Sequence, residues 1–180
     1  MLRIFLLLFC GFFSGVVIAD DDVWLLVDTK AMTIEVKKGQ HTLETLNDIA
    51  IGRGGAGFKA HQGDNVTPFG SYRIGWVGEQ STFRRFFGLT YPSAEDAQSA
   101  LEKGVINQAA YKSIITAHRS NQVPPQNTPL GGRIGIHGLG RADEKIHKST
   151  NWTHGCIALT NGQIDHLSQW IDKGVVVKIK

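Results

Sequence analysis

The chain has 180 residues, 42% of them hydrophobic and 19% charged, which is typical of one compact domain and leaves little room for a second. Its formal net charge is +3. That excess is too small to indicate a nucleic-acid-binding protein.

Residues 1–19 have the features of a secretory signal peptide. Arg3 supplies a positive start, fifteen apolar or small residues follow, and Val17 and Ala19 fit the small-residue cleavage rule. The apolar run is short for a membrane span, which needs about 20 residues. We therefore expect cleavage after Ala19, export to the periplasm, no stable membrane insertion after cleavage, and one folded domain over residues 20–180.

The first half of the domain is predicted to be β-rich. "VWLLVDTKAMTIEVKK" indicates two strands joined by a turn at residues 28–30, because Met32, Ile34 and Val36 alternate with polar residues. Three further strands are predicted in "HTLETLNDIAIG", "SYRIGWV" and "FRRFFGLTY". We expect a sheet with one face exposed to water.

Two helices are predicted to interrupt this pattern, within an insertion of about residues 93–121. Ser93 and Asp96 resemble a capping box before "AEDAQSALEK", Gly104 fits a helix stop, and "QAAYKSIITAHR" favours a second helix. The insertion is predicted either to form a lid over a cleft or to pack on the edge of the sheet. Beyond it, "RIGIHG" indicates a strand, "GQIDHLSQWIDKG" a helix and "VVVKI" a closing strand.

The glycine-rich stretch "GRGGAG" at residues 52–57 matches a dinucleotide-binding pattern letter by letter. No helix pattern follows it and no βαβ unit surrounds it. We therefore interpret it as a flexible loop and expect no cofactor.

Cys156 is the only cysteine that remains once the signal peptide and its Cys10 are removed, so it cannot form an intramolecular disulfide. A thiol needs a neighbouring base to become a good nucleophile, and both His137 and His154 are candidates. Gly138 and Gly155 allow the backbone to approach closely. Two other interpretations of Cys156 stay open at this point. It is either a small buried hydrophobic side chain, or part of a structural zinc site with His137 and His154.

Two separated motifs resemble the L,D-transpeptidase (YkuD-type) catalytic domain. In "IHG", His137 is separated by the fifteen residues 138–152 from "THGCIALTN", and "AIGRGG" is followed by "VTPFGSYRI". The resemblance spans residues 23–180 apart from the insertion. It implies a mostly β (α+β) fold, a β-sandwich with a helical insertion and a C-terminal helix and strand.

The resemblance also implies residue roles. Cys156 would be the nucleophile and His137 its base, oriented by the carbonyl of Gly138. His154 would assist next to the thiol, and amides near Gly155 and Cys156 would form an oxyanion hole. Members of the family act in the cell envelope on peptidoglycan stem peptides, which makes peptidoglycan the expected partner. Neither a metal nor a cofactor is implied.

One departure from the family concerns substrate placement. Many members carry Arg two residues after the cysteine, where this chain has Ala158. We expect a substrate carboxylate to be held instead by Arg73, Arg133 or Arg141. Two further residues are predicted to contact substrate, Thr153 and Asn161. The other histidines are predicted to be surface or capping residues: His41, His61, His118, His147 and His166.

The sequence thus predicts a periplasmic cysteine L,D-transpeptidase that forms a thioester on Cys156. Two alternatives remain: an L,D-carboxypeptidase, in which water resolves the same acyl-enzyme, and a non-catalytic peptidoglycan-binding protein. An activated Cys156 is expected to react with iodoacetamide well below pH 8.

Overall fold

The computed structural model describes residues 22–78 and 82–180. The predicted signal peptide lies outside these residues. Fourteen elements occur in them, in this order: β1 (Val23–Asp28), β2 (Thr33–Lys38), β3 (His41–Leu46), β4 (Ala56–Gly57), β5 (Thr67–Pro68), β6 (Gly70–Gly78), β7 (Phe86–Leu89), α1 (Ala94–Glu102), α2 (Gln108–Arg119), β8 (Gly135–Gly138), α3 (Glu144–Ser149), β9 (Ile157–Leu159), α4 (Asn161–Leu167) and β10 (Val176–Ile179).

Eight strands form one sheet in the order β3-β2-β1-β10-β6-β7-β8-β9, and β4 and β5 form a small parallel pair. The sheet curls so that its two ends meet. Ala50, just after edge strand β3, exchanges two backbone hydrogen bonds with Ala158 of edge strand β9, at 3.0 and 2.7 Å. Because of this closure, β9, the edge strand that follows Cys156, has fewer unpaired backbone groups that could pair with another chain.

The two halves of the curled sheet enclose one hydrophobic core. Leu25 and Ile34 from one half and Ile136 and Ile157 from the other belong to the same buried cluster. The alternation predicted for β2 is confirmed, since Ile34 and Val36 are fully buried. The predicted mostly β fold with added helices is also confirmed.

The two predicted helices of the insertion form as α1 and α2. Ser93 and Asp96 make both hydrogen bonds of the capping box at the start of α1. The Asp96 carboxylate also accepts a hydrogen bond from the hydroxyl of Tyr72 in β6, and Ile114 of α2 is fully buried. The helical pair is therefore fixed to the sheet and the core.

Four parts of the chain differ from the sequence prediction. Helix α3 and strand β9 were not predicted, because six and three residues are too short for a periodic signal. Helix α4 ends at Leu167, although Ile171 beyond it is still buried. The stretch 52–57, predicted as a flexible loop, is hydrogen-bonded and ends in strand β4: Gly52 N–H donates to Thr67 Oγ1 at 2.8 Å.

No helix within residues 22–78 and 82–180 is long and apolar enough to cross a membrane.

Candidate active site

Cys156 and His137 line the same cavity, which has a volume of about 830 Å3. His137 lies in β8, and Cys156 directly precedes β9. The two strands are parallel neighbours, with His137 opposite Ala158. The sheet register therefore brings together two residues that are nineteen positions apart in the chain.

The imidazole of His137 is buried and oriented by the backbone. Its Nδ1 lies 2.7 Å from the carbonyl oxygen of Gly138, the interaction that the sequence predicted. Because a carbonyl oxygen only accepts hydrogen bonds, Nδ1 carries the proton and Nε2 keeps its lone pair. Burial lowers the pKa of His137 below its ordinary value, in spite of the opposing effect of this hydrogen bond. The ring is therefore a neutral imidazole, ready to accept a proton.

Aromatic side chains surround this ring. The centroid of Phe83 lies 4.4 Å from that of His137, Phe86 stacks on it at 6.0 Å, and Trp152 meets it edge-on at 5.9 Å. All three line the cavity, as does Trp76. These aromatic residues were not predicted, because Trp152 is far in the chain from Trp76, Phe83 and Phe86, and the four residues carry no motif.

The Cys156 thiol is held in its protonated form. Its Sγ lies 3.5 Å from the carbonyl oxygen of Arg133, an acceptor. Cys156 is half-buried, and desolvation of the sulfur raises the pKa of the thiol to about 11, although the amide of Gly135 and the charge of Lys59 lower it in part. This direction runs against the expectation of a low-pKa thiol and favours a neutral thiol beside a neutral imidazole.

Thr153 shapes the turn that carries the cysteine. Its hydroxyl donates to the Cys156 carbonyl at 2.7 Å and accepts the amide of Gly155 at 3.1 Å. The Thr153 hydroxyl and the Gly155 amide, predicted to meet the substrate and its oxyanion, thus bond to each other within the turn. The Cys156 amide remains a candidate oxyanion donor.

Gly155 is required by the local backbone. Its φ is +124°, and a Cβ there would lie 2.8 Å from the Val66 carbonyl oxygen. Gly138 is also tightly surrounded, since a Cβ would lie 2.7 Å from Ile164. Both glycines therefore allow close packing around the nucleophile and its base.

Three of the predicted polar contacts line the cavity: Thr153, His154 and Arg133. Thr153 is buried, whereas His154 and Arg133 are exposed, and the Arg133 backbone amide is held by the Gln126 side chain at 2.7 Å. Arg141 is exposed and does not line the cavity, and the Arg73 guanidinium donates to the Gly174 carbonyl. Arg133 is therefore the predicted arginine that lines the cavity of Cys156.

The substrate contact predicted for Asn161 stays a prediction, and its side chain has partners within the protein. Its side-chain amide donates to the carbonyl of Gly140 and accepts from the amide of Gly140, each at 2.8 Å. Both polar groups of the side chain are used to join the start of α4 to the loop after β8.

Two other residues complete the neighbourhood. Ala158, at the place of the family arginine, is fully buried. His147, predicted at the surface, is instead buried, and its Nδ1 lies 3.4 Å from Trp152 Nε1. Within residues 22–78 and 82–180, no group of three or more His, Cys, Asp or Glu side chains is arranged to hold a metal ion, so the zinc interpretation has no support there.

Residues 22–179 match the family described as the L,D-transpeptidase catalytic domain, YkuD. The chain belongs to the L,D-transpeptidase catalytic domain family. The match covers both motifs, the insertion and the closing strand, so the resemblance noted from the motifs is confirmed. No curated protein is similar enough in sequence to count as a relative.

Solved structures show the same L,D-transpeptidase-like fold. The helical cell shape determining protein Pgp2 from Campylobacter jejuni is 24% identical, with a TM-score of 0.61 over 90% of this chain and 48% of that one. Bd1075 from Bdellovibrio bacteriovorus is 19% identical, with a TM-score of 0.55 over 90% and 49%. An L,D-transpeptidase from Xylanimonas cellulosilytica is 12% identical, with a TM-score of 0.50 over 90% and 62%. This chain therefore spans between 48% and 62% of the length of these proteins.

Proposed function

We propose that this protein is a periplasmic cysteine L,D-transpeptidase that acts on peptidoglycan stem peptides through a thioester on Cys156. The observation that carries the proposal is the shared cavity of Cys156 and His137, with the His137 tautomer fixed by Gly138. Family membership supports the same chemistry.

Acylation begins with proton transfer, because the resting thiol is protonated. His137 Nε2 accepts the proton of Cys156 as the sulfur attacks the carbonyl carbon of the third, diamino-acid residue of the stem. The Cys156 amide stabilises the oxyanion that forms. The peptide bond to D-alanine then breaks, His137 returns the proton to the leaving amine, and a thioester remains.

Deacylation repeats these steps in reverse with a different nucleophile. An amine from a second stem gives a crosslink, whereas water gives a tripeptide. In both reactions His137 first accepts a proton from the attacking group. Arg133 is the cavity residue that we assign to a stem carboxylate, because it is exposed there and its guanidinium matches a carboxylate.

Product analysis tests this proposal and separates its alternatives. The protein is incubated with a disaccharide-tetrapeptide, with and without a second stem as acceptor, and the products are separated by chromatography. Crosslinked dimer supports the transpeptidase, and tripeptide alone would replace it with the L,D-carboxypeptidase. Binding of substrate without any product, from folded protein, would instead support the non-catalytic peptidoglycan-binding protein.

A further inference from the structure

A second cavity, of about 590 Å3, lies between the start of α1 and the segment that contains β5. Its lining combines aromatic rings with hydroxyl and charged groups, a mixture that suits a ligand with both apolar and polar faces. The residues of interest are Phe58, Phe69, Ser71, Glu95, Ser99 and Lys103. No step of the proposed reaction uses them.

Phe58 is the unusual member of this lining. Its side chain is 84% exposed, more than that of any other large hydrophobic residue in the described part of the chain. Its ring meets Phe69 edge-on, with centroids 6.3 Å apart and planes at 82°. Phe69 itself packs against the core. The Phe58 ring is thus braced at an edge while most of its surface faces solvent.

The segment beneath Phe58 is firmly anchored. Lys59, next in the chain, forms an ion pair with Asp64, and 3% of its side chain is exposed. Asp64 also accepts the backbone amides of Ala60 and His61. A paired, hydrogen-bonded carboxylate of this kind holds a loop in one conformation. Phe58 is therefore placed by a rigid segment.

The two cavities are lined by neighbouring residues of one stretch of chain. Leu130 lines the second cavity, and Gly132, Arg133 and Ile134 line the cavity of Cys156. Lys59, which also lines the second cavity, lies near enough to Cys156 for its charge to lower the pKa of the thiol in part. The second cavity is therefore close to the cavity in which we propose that the stem peptide binds.

We propose that the second cavity is a subsite for a sugar ring of the glycan strand to which the stem peptide is attached. This inference rests on the proposed function. The C–H face of a pyranose ring stacks on an exposed aromatic ring, whose face carries negative charge density. The hydroxyls at the edge of the sugar need polar partners, which Ser71, Glu95 and Ser99 supply at the rim.

Direct binding tests the subsite without catalysis. Cys156→Ala protein is titrated by calorimetry with glycan oligosaccharides from which the stem peptides have been removed. We expect saturable binding that Phe58→Ala weakens about tenfold and Phe58→Trp retains. Leu43→Ala, which removes an exposed apolar side chain from β3, is the matched control and should bind normally. No binding to the parent protein, or equal loss in the control, would overturn the subsite.

Kinetics separate this subsite from the proposed function. Phe58→Ala should raise KM for a disaccharide-tetrapeptide about tenfold, with kcat unchanged, and leave the values for the free tetrapeptide as they are. An equal effect on both substrates, or none on either, would overturn the subsite while the enzyme stands. Glycan binding by a protein that turns over neither substrate would support the subsite and overturn the function.

Discussion

At the scale of single residues, the main finding is that Cys156 and His137 rest as a neutral pair. Burial raises the pKa of the thiol and lowers the pKa of the imidazole, so each group is pushed toward its uncharged form. Desolvation thus disfavours the thiolate. The proposed reaction therefore needs general-base catalysis when the sulfur attacks and does not start from a thiolate.

Alkylation of Cys156 tests the neutral pair. Because the thiol pKa is about 11, the thiolate fraction increases as the pH rises toward that value. At pH 7 we expect iodoacetamide to react on the order of a hundredfold more slowly than with free cysteine, whose pKa is about 8.5. The rate is followed by mass spectrometry from pH 6 to 10. A plateau reached below pH 8 would show instead a preformed thiolate.

The pH dependence of kcat/KM tests His137 as the base. The folded pKa is lowered, so the imidazole stays neutral to a lower pH than a free histidine, and activity should be lost only below about pH 6.5. His137→Ala should lower kcat/KM by on the order of 10²–10⁴. If His137→Ala kept the parent kcat/KM and the parent loss of activity at low pH, the base would be another residue.

Thr153 is expected to act as a positioning residue. Thr153→Val removes the hydroxyl that joins Gly155 to Cys156 and should lower kcat by about tenfold, which is about 1.4 kcal/mol of barrier, with little change in KM. Thr153→Ser keeps the hydroxyl and should keep kcat. A change confined to KM in the valine variant would indicate substrate contact, as the sequence first suggested.

At the scale of elements, short segments are joined by specific side chains. Asn161, the first residue of α4, binds both backbone groups of Gly140 in the loop after β8. Asn161→Ala should lower the free energy of unfolding by about 1–3 kcal/mol, because it leaves partly buried backbone groups without partners. Urea denaturation measures this. The substrate-contact interpretation predicts the opposite pattern: unchanged stability with a raised KM.

The helical insertion is expected not to act as a lid over the cavity of Cys156. None of its residues lines the cavity of Cys156, whereas Ile114 is fully buried. Ile114→Ala should lower the free energy of unfolding by about 2–5 kcal/mol, while the folded fraction keeps the parent kcat. Gln98→Ala, on the exposed face of α1, is the matched control for stability. A fall in kcat of folded Ile114→Ala protein would restore the lid interpretation.

The sequence predicted those elements whose signals are local. The alternation of β2 and the capping box of α1 lie within a few residues, and both occur as predicted. The pairing of Ala50 with Ala158 depends on closure of the sheet over more than a hundred residues, so no local pattern announces it. The contact of Asn161 with Gly140, 21 residues apart, has no local pattern either. The partners of Thr153 are close in the chain, but these hydrogen bonds depend on the backbone geometry of the turn, which the motif does not encode.

At the scale of the whole molecule, the curled sheet explains why the site is built where two strands meet. Closure through Ala50 and Ala158 fixes β9 at the edge, and β9 in turn fixes the turn that carries Cys156 next to His137 of β8. The two motifs contain the thiol of Cys156 and the imidazole of His137. The fold desolvates both groups and so favours their uncharged forms. In our proposals, the cavity of Cys156 takes the peptide and the second cavity takes the glycan.

The most direct test of the central claim is intact mass spectrometry of the protein incubated with a disaccharide-tetrapeptide. The proposal predicts an adduct whose mass is that of the donor minus D-alanine, located on Cys156 and absent from Cys156→Ala protein. Product formation by Cys156→Ala at the parent rate, or neither adduct nor product from folded parent protein, would contradict it.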